Sequence, residues 1–109
     1  MTELQKSFSA LSDPTRFGIV EQLMREGELP AGVLIEGRGM SGAAISRHLK
    51  ILREAGLVSQ RSLGTQRLYS VRGEGLKAIA DWTISKREFW ETSLDRLGAI
   101  LDKEVTWPT

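Results

Sequence analysis

The chain has 109 residues, 40% of them hydrophobic and 27% charged, which is an ordinary globular balance and predicts a single domain over residues 1–109. It contains no cysteine and one histidine, which excludes disulfides, thiol redox chemistry and nearly every soft-metal site. No apolar run approaches the length of a membrane span, and the N-terminus lacks the apolar core of a signal peptide. We therefore expect a cytoplasmic protein with no membrane partner.

Two helices are predicted at the start of the chain. Three apolar residues at helical spacing predict the first, over about residues 3–11: Leu4, Phe8 and Leu11. The sequence Ser12-Asp13-Pro14 places a capping residue before a proline at the first helical position. The second helix should therefore begin at Pro14 and run toward Gly27.

A helix-turn-helix is predicted over about residues 31–55. Its first helix, over residues 31–36, is weak because Gly32 and Gly37 each cost about 1 kcal/mol of helix propensity relative to alanine. Packing of the apolar residues between these glycines must stabilise it. The turn is expected at Gly39-Met40.

The second helix of this pair, residues 41–55, has two contrasting faces. Ser41 is a candidate N-cap, Gly56 a candidate C-terminal stop, and one face is apolar: Ile45, Leu49 and Leu52. The other face is small at the start and basic further on: Gly42, Ala43, Ser46, Arg47, Lys50 and Arg53. This pattern is typical of a helix whose start approaches bases in a DNA major groove while its cations meet phosphates. Taken alone, the segment would equally fit an amphipathic surface helix.

A β-hairpin is predicted directly after this helix, over about residues 57–71, with its turn at Leu63-Gly64-Thr65. The alternation of its second strand places Tyr69 and Val71 on the packed face and leaves Arg61 and Arg67 close to solvent. A basic hairpin in this position is typical of the wing of a winged helix-turn-helix domain.

Charge is distributed unevenly along the chain, although the net charge is only +1. Residues 38–72 hold seven lysines and arginines against one acidic residue, a local charge of +6, and the remainder carries −5. Such segregation favours one docking face for a polyanion. Chance clustering on a solvated surface is the alternative.

The region from about residue 74 to residue 104 is predicted to form one long helix or two nearly continuous ones. Its apolar residues make a heptad-like stripe that includes Trp90, Leu94, Leu97 and Leu101. A small domain has few places to bury this stripe, so we expect it to pair with the first helix and with a second copy of the chain. The alternative is that the helix folds back as ordinary core.

Three segments together resemble the ArsR/SmtB family of dimeric winged-helix repressors: ALSDPTRFGIVEQL, SGAAISRHLKILREAGLV and GTQRLYSV. The resemblance covers about residues 8–82. It implies a mainly α fold of five helices with a two-stranded β-hairpin wing, in which the first and last helices build a homodimer. It also implies a transcriptional repressor that binds a palindromic operator in double-stranded DNA.

The resemblance also suggests which residues lie at the DNA. Combined with the basic face and the wing, it gives the following candidates: Ser41, Gly42, Ala43, Ser46, Arg47, His48, Lys50, Arg61 and Arg67. For the dimer interface the candidates are Leu4, Phe8, Trp90, Leu94, Leu97 and Leu101. His48 is open to two readings, a phosphate contact or a side chain that orients the helix; both are favoured over a pH switch.

The chain departs from the founding members of this family, which bind metals through cysteine pairs near the third helix or through histidine and acidic residues on the last helix. The third-helix region has no thiol, and the last helix has carboxylates but no histidine. Carboxylates alone on a helix surface usually pair with lysine and arginine, so we expect no metal sensing and no cofactor, as in the metal-independent branch. The effector is not indicated. A winged-helix module that binds protein would not require the basic face, and an enzyme is disfavoured because no nucleophile and base pair, phosphate loop or metal cluster is found.

Overall fold

The computed structural model describes residues 1–104, with side chains described as far as Leu101. The chain forms two compact units, Met1–Ile79 and the residues from Ala80 onward. The elements are α1 Glu3–Leu11, α2 Pro14–Glu26, β1 Leu29–Pro30, α3 Ala31–Ile35, α4 Gly42–Glu54, β2 Val58–Leu63, β3 Gln66–Val71, α5 Gly73–Ser85 and α6 Arg87–Glu104.

Side-chain caps determine where three of the helices begin. Thr2 and Gln5 form a capping box at α1, in which the Thr2 hydroxyl accepts from the Gln5 amide. Asp13 accepts from the Arg16 amide ahead of Pro14, so α2 begins at the predicted proline. Ser41 accepts from the Ala44 amide at 3.1 Å and starts α4.

The core of the first unit lies between α2, α3, α4 and the hairpin. Its largest fully buried side chains are Ile19, Leu34, Ile45, Leu49, Leu52, Leu57 and Val58. The three α4 residues in this group are those that the helical spacing predicted for its buried face. Each such side chain contributes roughly 1.5–3 kcal/mol relative to an exposed one, so burial anchors the inner face of α4 and leaves its outer face in solvent.

The wing is a three-stranded antiparallel sheet in the order β1-β3-β2. Gly64, with φ +63°, allows the tight turn between β2 and β3. In β3, Tyr69 pairs with Leu29 and belongs to the core, whereas its neighbour Leu68 pairs with Pro30. Because neighbouring residues of a strand point to opposite faces, the sheet has a core face and an outer face.

The winged helix-turn-helix fold is confirmed, with two differences from the prediction. The sheet has a third strand, β1, because Leu29 and Pro30 extend along the free edge of β3. The C-terminal helical region forms two helices with the break at Lys86, so the described residues contain six helices where the resemblance implied five. No helix among the described residues is long and apolar enough to cross a membrane.

The second unit contains the last residues of α5, from Ala80, and the whole of α6. Arg87 and Glu91 form an i, i+4 ion pair at 2.8 Å on α6. Phe89 and Trp90 make an edge-to-face contact with ring centroids 5.3 Å apart. Trp107, for which the sequence suggested no role, lies outside the described residues.

Candidate nucleic-acid interface

The start of α4 presents a small polar surface to solvent. Ser41, Ala43, Ser46 and Arg47 are exposed, and Lys50 is exposed one turn further on. Gly42 is half-buried beside Ile35, so it contributes less open surface than the pattern suggested. The first backbone amides of a helix carry partial positive charge. This end of α4 therefore offers hydrogen-bond donors and one long cation with little side-chain bulk in front of them.

A groove of about 680 Å³ lies between α3, the start of α4 and the wing. Ser46 of α4 and Arg67 of β3 both line it, as does the carboxylate-bearing Glu36 at the end of α3. Arg67 is exposed and shares the core face of the sheet with Tyr69, two residues further on. The structure thus brings together a residue of α4 and a residue of the wing that lie 21 positions apart in the sequence.

Arg61 lies on the other face of the wing. It is in register with Leu68, and residues directly opposite in an antiparallel pair share a face, so Arg61 is on the outer side of the sheet. Its guanidinium donates from Nε and Nη2 to the two carboxylate oxygens of Glu28, at 2.9 and 2.7 Å. These hydrogen bonds lower the pKa of Glu28 and raise that of Arg61. The two wing arginines, grouped together in the sequence analysis, have different surroundings.

His48 is packed against the start of α2. Its side chain is only 17% exposed, and its Nδ1 lies 3.3 Å from Arg16 Nη1 and 3.9 Å from Asp13 Oδ2. Because a guanidinium only donates, Nδ1 is the acceptor in the contact with Arg16, and the distance from Nδ1 to Asp13 is too long for a hydrogen bond. These contacts favour the reading in which His48 orients α4. Its role at DNA stays a prediction.

Asp13 and Arg16, which carry opposite charges, lie together beside His48. The Arg16 amide, which donates to the Asp13 carboxylate at 3.0 Å, lowers the pKa of Asp13, and the positive charge of the Arg16 side chain acts in the same direction. The Arg16 guanidinium donates through Nε to the Ala10 carbonyl at 2.7 Å. Arg16 thereby connects the end of α1, the start of α2 and α4.

Several cations that were counted in the basic segment already have intramolecular partners. Arg38 donates to the Leu34 carbonyl at 2.6 Å and to the Gln22 side chain, which ties the turn of the helix-turn-helix to α2. Arg72 pairs with Glu74 at 3.2 Å, and Lys50 reaches Glu54 at 3.9 Å. Within the part of the chain that the structure describes, Arg47 and Arg67 are exposed and have no carboxylate partner.

Sequence reasoning missed the structural roles of Arg16, Arg38 and Glu28. Each has at least one partner that lies between 6 and 33 positions away, and no local spacing reveals that contact. The only local signal was the position of Arg16 three residues after the capping Asp13, where its amide is a cap donor.

The candidate dimer residues fall into two groups by exposure. Trp90, Leu94 and Leu97 are each at least half exposed on α6, and Phe8 of α1 is 42% exposed. Leu4 and Leu101 are half-buried. Exposed apolar side chains at the spacing of a heptad stripe are typical of an interface rather than of a solvated helix.

Comparison with known proteins agrees with this architecture. Residues 11–61 match the model of a helix-turn-helix domain family. The chain is 36% identical over 99 residues to the HTH-type transcriptional regulator Rv2034 of Mycobacterium tuberculosis, covering 91% of this chain and 89% of that protein. A crystal structure of an ArsR family transcriptional regulator superposes with a TM-score of 0.77 at 27% identity, covering 83% of this chain and 98% of the other.

The chain belongs to the ArsR family of transcriptional regulators. It is also similar to the transcriptional repressor SdpR of Bacillus subtilis, with 35% identity over 72% of this chain and 86% of that protein. The family resemblance read from the sequence is therefore confirmed. In the described part of the chain, no group of three or more histidine, aspartate and glutamate side chains is arranged to hold a metal ion.

Proposed function

We propose that this ArsR-family regulator is a homodimeric repressor that binds a palindromic operator in double-stranded DNA. The observation that carries the proposal is that Ser46 of α4 and Arg67 of the wing line one groove beside the exposed, capped start of α4. A DNA backbone that runs along this groove of the protein would contact the wing. In the same arrangement, α4 would enter the DNA major groove as the recognition helix.

In this proposal the two elements have different tasks. Ser41, Gly42, Ala43 and Ser46 lie at the first two turns of α4, where short side chains allow the backbone to approach base edges. Arg47 projects from the same exposed part of the helix and reads a base, and Arg67 contacts phosphate from the wing. Lys50 supplies a second phosphate contact, which its long and exposed Glu54 contact does not prevent.

The dimer follows from the apolar stripe of α6. Three large side chains that are at least half exposed on one helix face would cost free energy in water, and pairing with a second copy buries them. We propose that Leu4 and Phe8 of α1 contribute to the same interface. A dimer would place two recognition helices about 34 Å apart, one helical turn of DNA, and so match a palindrome.

We propose that no metal or cofactor controls this regulator. Founding members of the family bind metals through cysteine pairs or through histidine and acidic residues on the last helix. This chain has no cysteine, and its one histidine lies in α4 and contacts Arg16.

The experiment that tests the proposal separates the helix from the wing. Removing a phosphate contact, as in Arg67→Ala, should weaken binding to specific and random duplexes equally and lower the salt slope by about one unit per contact. Arg47→Ala should instead lose about 1–3 kcal/mol on the operator and much less on random DNA. Titrations at several salt concentrations measure both effects.

Arg25→Ala is the matched control, because it removes an exposed arginine from the last turn of α2 and should change neither quantity. If Arg47→Ala lowers both affinities in parallel, base reading belongs to Gly42, Ala43 and Ser46. If neither Arg47→Ala nor Arg67→Ala changes binding to any duplex, the proposed interface is wrong.

A further inference from the structure

We propose that Glu28 limits the strength of DNA binding by holding the Arg61 guanidinium in a bidentate ion pair on the outer face of the wing. The proposal rests on the proposed function, DNA binding through α4 and the wing. In this proposal Arg61, one of the DNA contacts predicted from the sequence, is an internal brace: its ion pair with Glu28 links β2 to the residue before β1. Glu28 thereby keeps one cation of the wing away from phosphate.

The first argument is the strand register. Across the sheet, Arg61, Leu68 and Pro30 lie in one row, with β3 in the middle. Glu28 directly precedes β1, so the Arg61 side chain must cross β3 to reach it. Residues of one row share a face, so the crossing passes over Leu68 on the side away from the core. Arg67, in contrast, is on the face that lines the groove with Ser46.

The burial of Leu68 supports this path. Leu68 is only 9% exposed, although it is on the outer face of the sheet and is not part of the main core cluster. Some side chain must cover it there, and the aliphatic stem of Arg61 is in position to do so. Arginine commonly buries its stem over apolar surface while its guanidinium remains at the rim. Arg61 is thus held at both its stem and its charged end.

The second argument is electrostatic. Both Nε and Nη2 of Arg61 are engaged by the two oxygens of one carboxylate, the planar geometry that guanidinium and carboxylate prefer. The pair has no net charge, so it adds little attraction for the backbone. If Arg61 turned toward a phosphate, it would leave the Glu28 carboxylate behind as an uncompensated anion close to the polyanion. Breaking this partly exposed pair costs little in itself, but the exposed anion opposes the gain.

The experiment uses the full-length protein and a random-sequence duplex of about 30 base pairs, because backbone contacts do not depend on sequence. Affinity is measured for the wild type, Glu28→Gln, Arg61→Gln and the double variant between 50 and 200 mM salt. Glu28→Gln should steepen the salt slope by about 0.9 per protomer. The ratio of the Glu28→Gln affinity to the wild-type affinity should therefore fall about 3.5-fold per contact as the salt concentration rises from 50 to 200 mM. The double variant, in which both positions are neutral, should have the wild-type slope. Arg61→Gln leaves Glu28 as an uncompensated anion, so its slope should not be steeper than that of the wild type.

Glu21→Gln is the control for net charge, because it removes one exposed carboxylate from α2 without releasing an arginine. It should leave the slope unchanged. Glu28→Gln retains the Arg61 stem over Leu68, so it tests the proposal even if Arg61→Gln loosens the wing, which thermal melting of each variant would reveal.

Two results would overturn the inference, and they differ. If Glu28→Gln leaves the slope unchanged, Glu28 does not limit binding and the inference is wrong, although DNA binding stands; a slope that Arg61→Gln lowers by about one unit per protomer in the same experiment would show that Arg61 contacts phosphate. If the wild type shows no salt-dependent binding to DNA, the proposed function fails and the inference fails with it.

Discussion

Gly75, in the first turn of α5, lies against the backbone of Gly56, which is two residues beyond the end of α4. A Cβ atom at Gly75 would overlap the Gly56 carbonyl oxygen and would also lie 3.1 Å from the Gly56 carbonyl carbon and 3.2 Å from Leu57 Cδ2. The carbonyl cannot move aside as a flexible side chain would. Gly75→Ala therefore forces α5 away from the turn after α4.

The size of the effect follows from two opposing contributions. Overpacking of a well-packed site costs about 1–3 kcal/mol, and a rigid backbone obstacle places this substitution at the upper end. Helix propensity returns at most about 1 kcal/mol for Gly to Ala. We expect a net loss of about 1–2 kcal/mol in the free energy of unfolding, or roughly 4–8 °C in Tm for a domain of this size.

The assay is thermal and urea unfolding of Gly75→Ala beside Gly73→Ala. Gly73 begins the same helix, and a Cβ there would have no neighbour within 4 Å, so its substitution should be neutral or slightly stabilising. If the two variants melt at the same temperature as the wild type, α5 does not approach the turn after α4 as closely as described, and the reasoning is refuted.

Three further predictions concern the cap, pH and metals. Ser41→Ala removes the cap of α4 and should lower the free energy of unfolding by about 1 kcal/mol. Ser41→Asp retains a capping oxygen, so it should keep the stability but lose DNA affinity through repulsion of phosphate. Unfolding measurements and binding titrations of the two variants would separate the effects. The pKa of Asp13 is lowered in the folded state, so its ionised carboxylate stabilises the fold at pH values above its ordinary pKa of 3.8. This contribution is lost as the pH falls through the lower pKa of the folded state. Asp13→Asn retains a capping oxygen but cannot ionise, so its acid unfolding should depend less on pH than that of the wild type. Micromolar zinc, cadmium or arsenite should change neither Tm nor DNA affinity, since a tight site on the folded state would raise Tm measurably, and a shift of several degrees would contradict the absence of a metal switch.

The sequence predicted the parts of the fold that local rules control. The capped proline start of α2 and the apolar spacing of Ile45, Leu49 and Leu52 depend on neighbours within two helical turns, and both are found as predicted. Strand β1 was missed because two residues, one of them proline, carry no periodic signal. They form a strand only because the edge of β3 is available to pair with them.

The candidate site was predictable in position but not in its partners. Charge counting did not distinguish Arg38, Arg61 and Arg67. In the structure, Arg38 hydrogen-bonds within the turn of the helix-turn-helix, Arg61 is ion-paired on the outer face of the sheet, and Arg67 is exposed at the groove. These differences arise from contacts between distant segments and from the alternation of strand faces relative to the core. A one-dimensional charge pattern contains neither.

The central claim, a dimer that presents two recognition helices to one DNA site, is tested most directly by the stoichiometry of the complex. Sedimentation of the protein with the duplex from upstream of its own gene should give two protomers per site at micromolar concentration. Leu94→Glu should abolish both the dimer and tight binding, because the two half-sites no longer act together. Ala99→Glu, which introduces the same charge on the opposite face of α6, should leave both intact. A wild type that binds as one protomer, or a Leu94→Glu variant with unchanged mass and affinity, would contradict the account.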